Sequence, residues 1–304
     1  MSEIEKLIGQ MKERSRVWSD PRTRKIFKGE VYNAQIILPT DITAIQAQII
    51  LSEVLGLARP QYLLRQVCRV IPMPELVMRV DVATKLTGQE KVPAAVEAEI
   101  SAQAYSVVNF DLWKNVTHVV ITDEALKKAA HALLQLHIED AAGDLARMEN
   151  SQIKTELETA TADAGQDWGD ATKNPFDDLV RNITTIEGNG YPADFIAAHP
   201  LVWGDFLSNP YVRGTLQGVQ YPSGKVFPVP GLPGVIGYSD SALTSTVAIV
   251  GSKAAPAAVL GDGPVEAAQY RNEPAGYDAY IIRQWLQPKL TLTGAIRKLT
   301  GVHA

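Results

Sequence analysis

The sequence predicts an α+β fold, because helical and strand-like stretches follow one another without a repeating strand–helix unit. Three stretches carry this prediction: a helical pattern at 41–57, a long strand-like region at 72–122, and a helical pattern at 124–157. Short strand patterns occupy much of the chain beyond residue 190, and no internal repeat recurs at a fixed period. Helices and strands are therefore expected to alternate irregularly.

The composition is that of a globular protein and excludes several kinds of site. The 304 residues are 46% hydrophobic and 21% charged, and the net charge of −5 provides no global positive field for nucleic acid or acidic lipid. Cys68 is the single cysteine, so a disulfide within the chain and a thiolate-rich metal site are excluded. We interpret Cys68 as a half-buried thiol in a strand.

No apolar run reaches the ~18–20 residues of a membrane span, so we predict no membrane partner. Residues 1–18 have a helical pattern with early acidic residues, and they lack the features of a secretory signal.

The segment that follows residue 12 is the most basic part of the chain. Its cations include Arg14, Arg16, Arg22, Arg24, Lys25 and Lys28. Two interpretations stay open for it: a solvated face, or an extended arm that lies on a neighbouring subunit or on packaged nucleic acid.

Residues 72–122 predict a long β-hairpin. Apolar residues alternate at 76, 78, 80 and 82, Arg79 and Asp81 lie on the other face, and turn residues occupy 87–90. The returning arm has many small and few large apolar residues, so the hairpin cannot form a core of its own. We therefore expect it to lie on another surface, within this chain or on a partner.

Residues 124–157 predict one long helix, interrupted only by Gly143. Its apolar stripe is formed by Leu126, Ala130, Leu133, His137, Ala141, Leu145 and Met148, spaced three or four apart. A helix of ~30 residues is ~45 Å long, well beyond the average globular helix. Because a sustained heptad of large residues is absent, we favour a single spine helix over a coiled coil.

The second half of the chain predicts shorter elements. These are a loose segment at 158–174, a helix from Pro175-Phe176, a strand in ADFIAAHP, a helix after Pro200, a Gly/Pro-rich surface loop at 210–234, strands in VIGYSD and TVAIVG, a hairpin turn at Gly261-Asp262-Gly263, and closing strands.

Catalytic motifs are absent from the sequence. It contains no G-x-x-x-x-G-K-[ST], no G-x-G-x-x-G after a strand, and no G-x-S-x-G. His131 and His137 are six residues apart, so they do not share a helix face as paired metal ligands would. Glu97 and Glu99 are interpreted as solvated or salt-bridged carboxylates. We predict no catalytic residue, no metal and no cofactor.

The order of the elements resembles the Hong Kong 97-type major capsid protein family of tailed phages and related viruses. The stretches that carry the resemblance are NFDLWKNVTHVVITDEALKKAAHALLQLHIEDAAGDLARMENSQI, ADFIAAHPLVWGDFL, TVAIVGSKAAPAAVLGDGPVEAAQY and YDAYIIRQWLQPKLTLTGAIRKLTG. The resemblance covers nearly the whole chain and depends on element order more than on invariant residues.

The resemblance implies a Hong Kong 97-like capsid fold with four parts. These are an N-terminal arm at 1–40, an extended loop at 72–110, a peripheral domain of 41–71, 111–187 and 273–304 with the spine helix 123–157, and an axial domain at 188–272. The implied protein is a non-enzymatic major capsid protein that self-assembles through pentamers and hexamers into an icosahedral shell around double-stranded DNA.

The implied partners are copies of the chain, packaged DNA, and a portal, scaffolding or decoration protein. The implied location is the virion, with assembly in the host cytoplasm. Because the arm begins at once, scaffolding is expected to be a separate protein or absent.

The residues expected to face other subunits or the genome are the six cations of the arm and Arg79, Lys85 and Lys91 of the loop. Some family members crosslink a loop lysine to an asparagine. No glutamate and asparagine can be matched to that chemistry here, so we predict no crosslink.

Two alternatives remain at this point. An encapsulin-type nanocompartment shell shares the fold but encloses cargo enzymes, and the contents of the particle would distinguish it from a capsid. The second alternative, an α+β enzyme with a divergent site, rests on the Asp, Glu and His content alone.

Overall fold

The computed structural model describes residues 39–83, 105–123, 130–215 and 224–303, and these residues form the predicted α+β fold. They divide into two compact units. The first unit comprises 39–62, 114–123, 130–149 and 264–284, and the second comprises 63–83, 105–113, 150–215, 224–263 and 285–303.

The secondary structure is as follows. The helices are α1 (Pro39–Ala58), α2 (Ala130–Leu157), α3 (Pro175–Gly188), α4 (Pro200–Ser208) and α5 (Pro210–Thr215), with 3₁₀ helices at Arg59–Gln61, Leu64–Val67 and Thr293–Ala295. The strands are β1 (Arg69–Pro72), β2 (Val77–Ala83), β3 (Tyr105–Asp111), β4 (Trp113–Thr122), β5 (Ala162–Ala164), β6 (Phe195–Ala198), β7 (Val226–Pro228), β8 (Ile236–Ser239), β9 (Val247–Gly251), β10 (Ala258–Asn272), β11 (Tyr277–Leu290) and β12 (Ile296–Thr300).

In the first unit, helices α1 and α2 pack against strands β4 and β11. Val54 of α1, Leu145 of α2 and Tyr280 of β11 are fully buried in one apolar cluster. The predicted helix at 41–57 is confirmed, and the long helix is confirmed over 130–157, whereas 124–129 lie outside the described residues.

Among the stripe residues whose burial the structure describes (137, 141, 145 and 148), one is not buried as predicted. Ile138 is buried, whereas His137 is exposed, so the prediction for His137 is wrong. The reason is that Ile138 lies on the same face as Ala141, Ala142 and Leu145 at helical spacing, and the larger apolar side chain takes the core position.

In the second unit, a six-stranded sheet of order β5-β12-β9-β6-β8-β7 is covered on both faces. Phe195 and Ala197 of β6 pack on one face with Ile153 and Leu157 at the end of α2. Ile196 and Ala198 of the same strand pack on the other face with side chains of α3 and α4. This two-sided burial explains why the FIAA and VAIVG strands are uninterrupted apolar runs.

The starts of α3 and α4 follow from local sequence. Asn174 caps α3, since the Phe176 amide donates to its Oδ1 at 3.2 Å and Pro175 occupies the first helical position. His199 plays the same role for α4, because its Nδ1 accepts from the Leu201 amide at 3.1 Å. The predictions of helices from Pro175 and after Pro200 are confirmed.

The predicted turn at Gly261-Asp262-Gly263 is wrong, because β10 runs straight through these residues. The hairpin turns at 273–276 instead, where Gly276 has a φ of +62°. The two glycines serve close packing. A Cβ on Gly261 would lie 2.8 Å from Met73 Sδ, and a Cβ on Gly263 would lie 2.6 Å from Leu112 Cδ1.

Two further expectations change in detail. The region 210–234 is not loop throughout, since it contains α5 and β7, with 216–223 outside the described residues. Cys68 is half-buried as expected, but it lies at a bend just before β1 and not within the strand.

Candidate assembly interface

The β2–β3 hairpin is the element that the sequence singled out as unable to fold alone, and its described part is an antiparallel ladder. The register runs from Val77 opposite Asp111 to Ala83 opposite Tyr105. The predicted hairpin is confirmed for these residues, and 84–104 lie outside the described part of the chain. The two faces of the ladder have different environments.

The inner face of the hairpin is packed on the second unit. Phe110 is fully buried against Met73 and Val259, and Met78 and Val80 are partly buried in the same cluster. Gly261 of β10 allows this close approach, because a Cβ there would lie 3.1 Å from Phe110 Cδ1. The hairpin base therefore depends on a surface that another strand supplies.

Polar contacts also hold the hairpin base. Gln287 Oε1 accepts from the Asp111 amide at 2.7 Å, and Leu76 O accepts from the Leu112 amide at 2.8 Å. Lys289 donates from Nζ to the Asn109 carbonyl at 2.6 Å. The bonds from Gln287 and Lys289 attach β3 to β11. They therefore hold the outer face of the hairpin, which is opposite the packed face, in a defined orientation.

The outer face of the hairpin consists of Val77, Arg79, Asp81, Val107, Asn109 and Asp111, all of them exposed. Val77 is 61% exposed and Val107 is 57% exposed. Each valine lies directly across the ladder from a carboxylate, since Val77 pairs with Asp111 and Val107 with Asp81. The outer face therefore combines two exposed valines with charged and polar side chains.

Large apolar side chains continue beyond the ladder at the hairpin base. Leu76 and Trp113 are also about half exposed, and both belong to the second unit. The exposure of Trp113 excludes it from the core that the described residues form. Leu76 and Trp113 therefore add exposed apolar surface at the base of the hairpin.

The residues predicted to face subunits or genome fall into two groups. Arg79 is exposed on the outer face, directly opposite Asn109. The other eight, Arg14, Arg16, Arg22, Arg24, Lys25, Lys28, Lys85 and Lys91, lie outside the described residues. Their roles stay predictions.

No group of three or more His, Cys, Asp or Glu side chains in 39–83, 105–123, 130–215 and 224–303 could hold a metal ion. His118 is exposed on β4, and His303 pairs through Nδ1 with Asp205. Glu97 and Glu99 lie outside the described residues. In the described part of the chain, no helix combines the length and apolarity required to cross a membrane.

A charge cluster that the sequence did not reveal lies at the tip of the β10–β11 hairpin. Arg271 pairs with Asp123 at 3.0 Å, Glu273 at 2.6 Å and Asp278 at 3.3 Å. Hydrogen bonds from the guanidinium to Asp123 and Glu273 raise the pKa of Arg271. The Asp123 amide also donates to Gly276 O at 2.9 Å, so the cluster ties the hairpin tip to the residue after β4.

Replacing Arg271 with methionine is expected to lower the unfolding free energy of the first unit by about 1 kcal/mol. The guanidinium is 37% exposed, so each ion pair is screened by solvent and contributes little alone. Urea denaturation followed by circular dichroism measures the effect. The control is Arg147→Met, which removes one exposed ion pair with Asp144. Equal losses of unfolding free energy in both variants would show that the Arg271 cluster stabilises the unit no more than a single surface ion pair does.

Comparisons with known proteins bear on the fold. No protein-family model matches the chain, and no curated protein matches it. A virus-like particle from Pyrococcus furiosus has 13% sequence identity and a TM-score of 0.59, with 83% of this chain and 98% of that chain covered.

A capsid and a phage structure give similar values. The capsid of the native GTA particle has 14% identity and a TM-score of 0.63, with 80% of this chain and 91% of that chain covered. The Gordonia phage Cozz structure has 14% identity and a TM-score of 0.61, with 79% and 86% covered. At such identities the likeness establishes the fold alone. The chain has the Hong Kong 97-type fold, the fold of the capsid proteins that its element order resembles.

Proposed function

We propose that the chain is a shell subunit, the major capsid protein of an icosahedral particle. The observation that carries this proposal is the match of about four fifths of the chain to particle-forming proteins of the same fold. Fold does not determine function by itself, so the proposal also needs a surface that fits it. The outer face of the hairpin is such a surface.

The physics of the hairpin supports burial between subunits. Fully covering a valine side chain stabilises by roughly 1.5–3 kcal/mol, and Val77 and Val107 lie on the same face of the ladder. Obligate interfaces bury about 2,000–5,000 Å² in total, which a single ladder face cannot supply. Contributions from the arm and the loop, predicted at 1–40 and 72–110, would complete it.

The finer assignment is pentamers and hexamers that close around double-stranded DNA within a virion. The GTA capsid was computed with C5 symmetry, which supports five-fold vertices in the proposed shell. The cations of the arm support contact with DNA, since phosphate contacts come mainly from Lys and Arg. Assembly in the host cytoplasm, with a portal, scaffolding or decoration protein as partner, completes the proposal.

The domain division implied by the resemblance belongs to the same proposal. The arm, loop, peripheral domain and axial domain retain the boundaries stated above. The peripheral domain would contain α2, and the axial domain would contain β6, β8 and β9.

A second candidate is an encapsulin-type shell that encloses cargo enzymes. The likeness to the Pyrococcus furiosus virus-like particle favours it, since 98% of that chain is covered. Particle contents separate the two candidates. After nuclease treatment of intact particles, protected DNA supports the capsid, and a stoichiometric cargo protein without nucleic acid supports the encapsulin-type shell.

Sedimentation velocity of the purified chain tests the shell proposal. The 33.1 kDa subunit is expected to form large particles of uniform sedimentation coefficient. The double variant Val77→Asp, Val107→Asp is expected to assemble only at a protein concentration at least ten-fold higher than the wild type. The reason is that each aspartate would place a charge in a buried contact between subunits. Val180→Asp, an exposed valine on α3, is the control. Unchanged assembly of the double variant would exclude the outer face from the interface.

A further inference from the structure

Two methionines lie in the cluster beneath the β2–β3 hairpin. Met73, just after β1, is buried with Phe110 and Val259, and Met78 of β2 is half-buried against the same cluster. A thioether is apolar and flexible, and its sulfur makes favourable contacts with aromatic rings. The packing of the hairpin on β10 therefore depends in part on the chemical state of two sulfur atoms.

Met78 lies among apolar side chains on the inner face of the ladder. The register places it directly opposite Phe110, so the two side chains are cross-strand neighbours on the same face. The other described members of the cluster, apart from Met73, have hydrocarbon side chains, and these are Ile71, Val80, Val108, Leu112 and Val259. A polar group added at Met78 would meet apolar surface.

The two methionines differ in their access to solvent. Met73 is 2% exposed, and its Sδ lies 2.8 Å from the place of a Cβ on Gly261, so it is pressed onto β10. Met78 is half-buried, so part of its side chain is in contact with water. A small oxidant in solution therefore reaches Met78 before it reaches Met73.

We propose that Met78 is an oxidation site and that its modification releases the hairpin from β10. A peroxide transfers one oxygen atom to the thioether sulfur: the O–O bond breaks, an S–O bond forms, and the peroxide is reduced to water as the sulfur loses two electrons. The sulfoxide is polar, and a polar group without a partner in an apolar cluster disfavours the packed state. Because Met73 packs with Phe110 of the hairpin, release exposes Met73 to a second oxidation.

Hydrogen exchange of the full chain, below the concentration at which it assembles, tests the release. The chain is treated with hydrogen peroxide, and mass spectrometry locates the added oxygen. Amides of β2 and β3 are expected to exchange at least ten-fold faster after oxidation, whereas those of the six-stranded sheet keep their protection. Met78→Leu retains an apolar side chain of similar volume without the sulfur, so peroxide is expected to change its exchange by no more than about two-fold.

Met148→Leu is the matched control, because Met148 is also half-buried but packs in the core of the first unit. It is expected to respond to peroxide as the wild type does. Met1 and Met11 are present in every variant, so their oxidation does not explain a difference between variants. The proposal is wrong if Met78→Leu is as sensitive as the wild type, or if Met148 is oxidised while Met78 stays unmodified.

A polar substitution gives a readout that needs no oxidant. Met78→Gln places an amide at the same position, and it is expected to speed exchange of β2 and β3 at least ten-fold, whereas Met148→Gln leaves them unchanged. Full protection of β2 and β3 in Met78→Gln would overturn the proposal. Loss of protection in the six-stranded sheet as well would contradict a local release.

Particle formation is a separate readout, and it rests on the proposed function. The chain oxidised at Met78 is expected to need at least ten-fold more protein to form particles, and methionine sulfoxide reductases are expected to restore assembly. Normal assembly with Met78 oxidised would contradict this effect of the release. Failure of the untreated chain to form particles contradicts the shell function alone, whereas unchanged exchange after oxidation contradicts the oxidation site alone.

Discussion

Replacing Asn209 with leucine is expected to destabilise the second unit by about 3 kcal/mol. The Asn209 side chain is 2% exposed, and its Nδ2 donates to three carbonyls, those of Trp168, Asp170 and Lys173, at 2.9, 3.2 and 3.1 Å. Its Oδ1 accepts from the Tyr211 amide at 3.0 Å. Leucine branches at the same carbon but is larger, so the substitution removes the four hydrogen bonds and also crowds a buried site.

The magnitude follows from the number of groups left without partners. Each hydrogen bond contributes about 1 kcal/mol net, and a buried group left unsatisfied costs about 1–3 kcal/mol. A loss of about 3 kcal/mol is a large share of the 5–15 kcal/mol that holds a typical protein folded. The loop 168–173 would lose its hydrogen bonds to the residue that precedes α5.

Urea denaturation monitored by near-ultraviolet circular dichroism measures this loss. Asn189→Leu is the matched control, because Asn189 is exposed and its Nδ2 donates to the single carbonyl of Gly294 at 3.0 Å. We expect the control to lose less than about 1 kcal/mol. A similar shift of the midpoint in both variants would contradict the role assigned to Asn209.

Replacing Gly261 with valine is expected to displace the β2–β3 hairpin and to abolish assembly. The new Cβ alone would lie 2.8 Å from Met73 Sδ and 3.1 Å from Phe110 Cδ1, and the valine methyl groups add more volume at the same place. Overpacking of a core costs about 1–3 kcal/mol. Met73 and Phe110 must therefore shift, and both belong to the cluster beneath the hairpin.

Hydrogen exchange distinguishes displacement of the hairpin from general unfolding. Amides of β2 and β3 are expected to exchange at least ten-fold faster, whereas those of the six-stranded sheet keep their protection. Gly214→Val is the control, because nothing lies within 4 Å of a Cβ at that exposed position. Unchanged exchange in β2 and β3, together with normal particle formation, would show that the hairpin does not depend on Gly261.

Elements governed by local periodicity were predictable from the sequence. The helix at 41–57, the long helix, and the capped starts of α3 and α4 follow from spacing and from residues such as Asn174 and Pro175. The strand in ADFIAAHP is recognisable because burial on both faces requires an unbroken apolar run. Each of these signals comes from residues that are close together in the sequence.

Features that depend on distant residues were not predictable. A glycine in a turn and a glycine under a packed side chain look alike in sequence, and only the contact of Gly261 with Met73 and Phe110 distinguishes them. Asn209 and Arg271 are likewise ordinary residues until the fold brings carbonyls or carboxylates to them. The hairpin was recognised as needing a partner surface, but its outer face became visible only with the register of Val77 and Val107.

Electron cryomicroscopy of particles assembled from the purified chain tests whether it is a shell subunit. We expect closed icosahedral shells of uniform diameter, in which the outer face of the β2–β3 hairpin is covered by a neighbouring subunit. A chain that remains a 33.1 kDa monomer at high concentration, or shells in which Val77 and Val107 stay exposed to solvent, would contradict it.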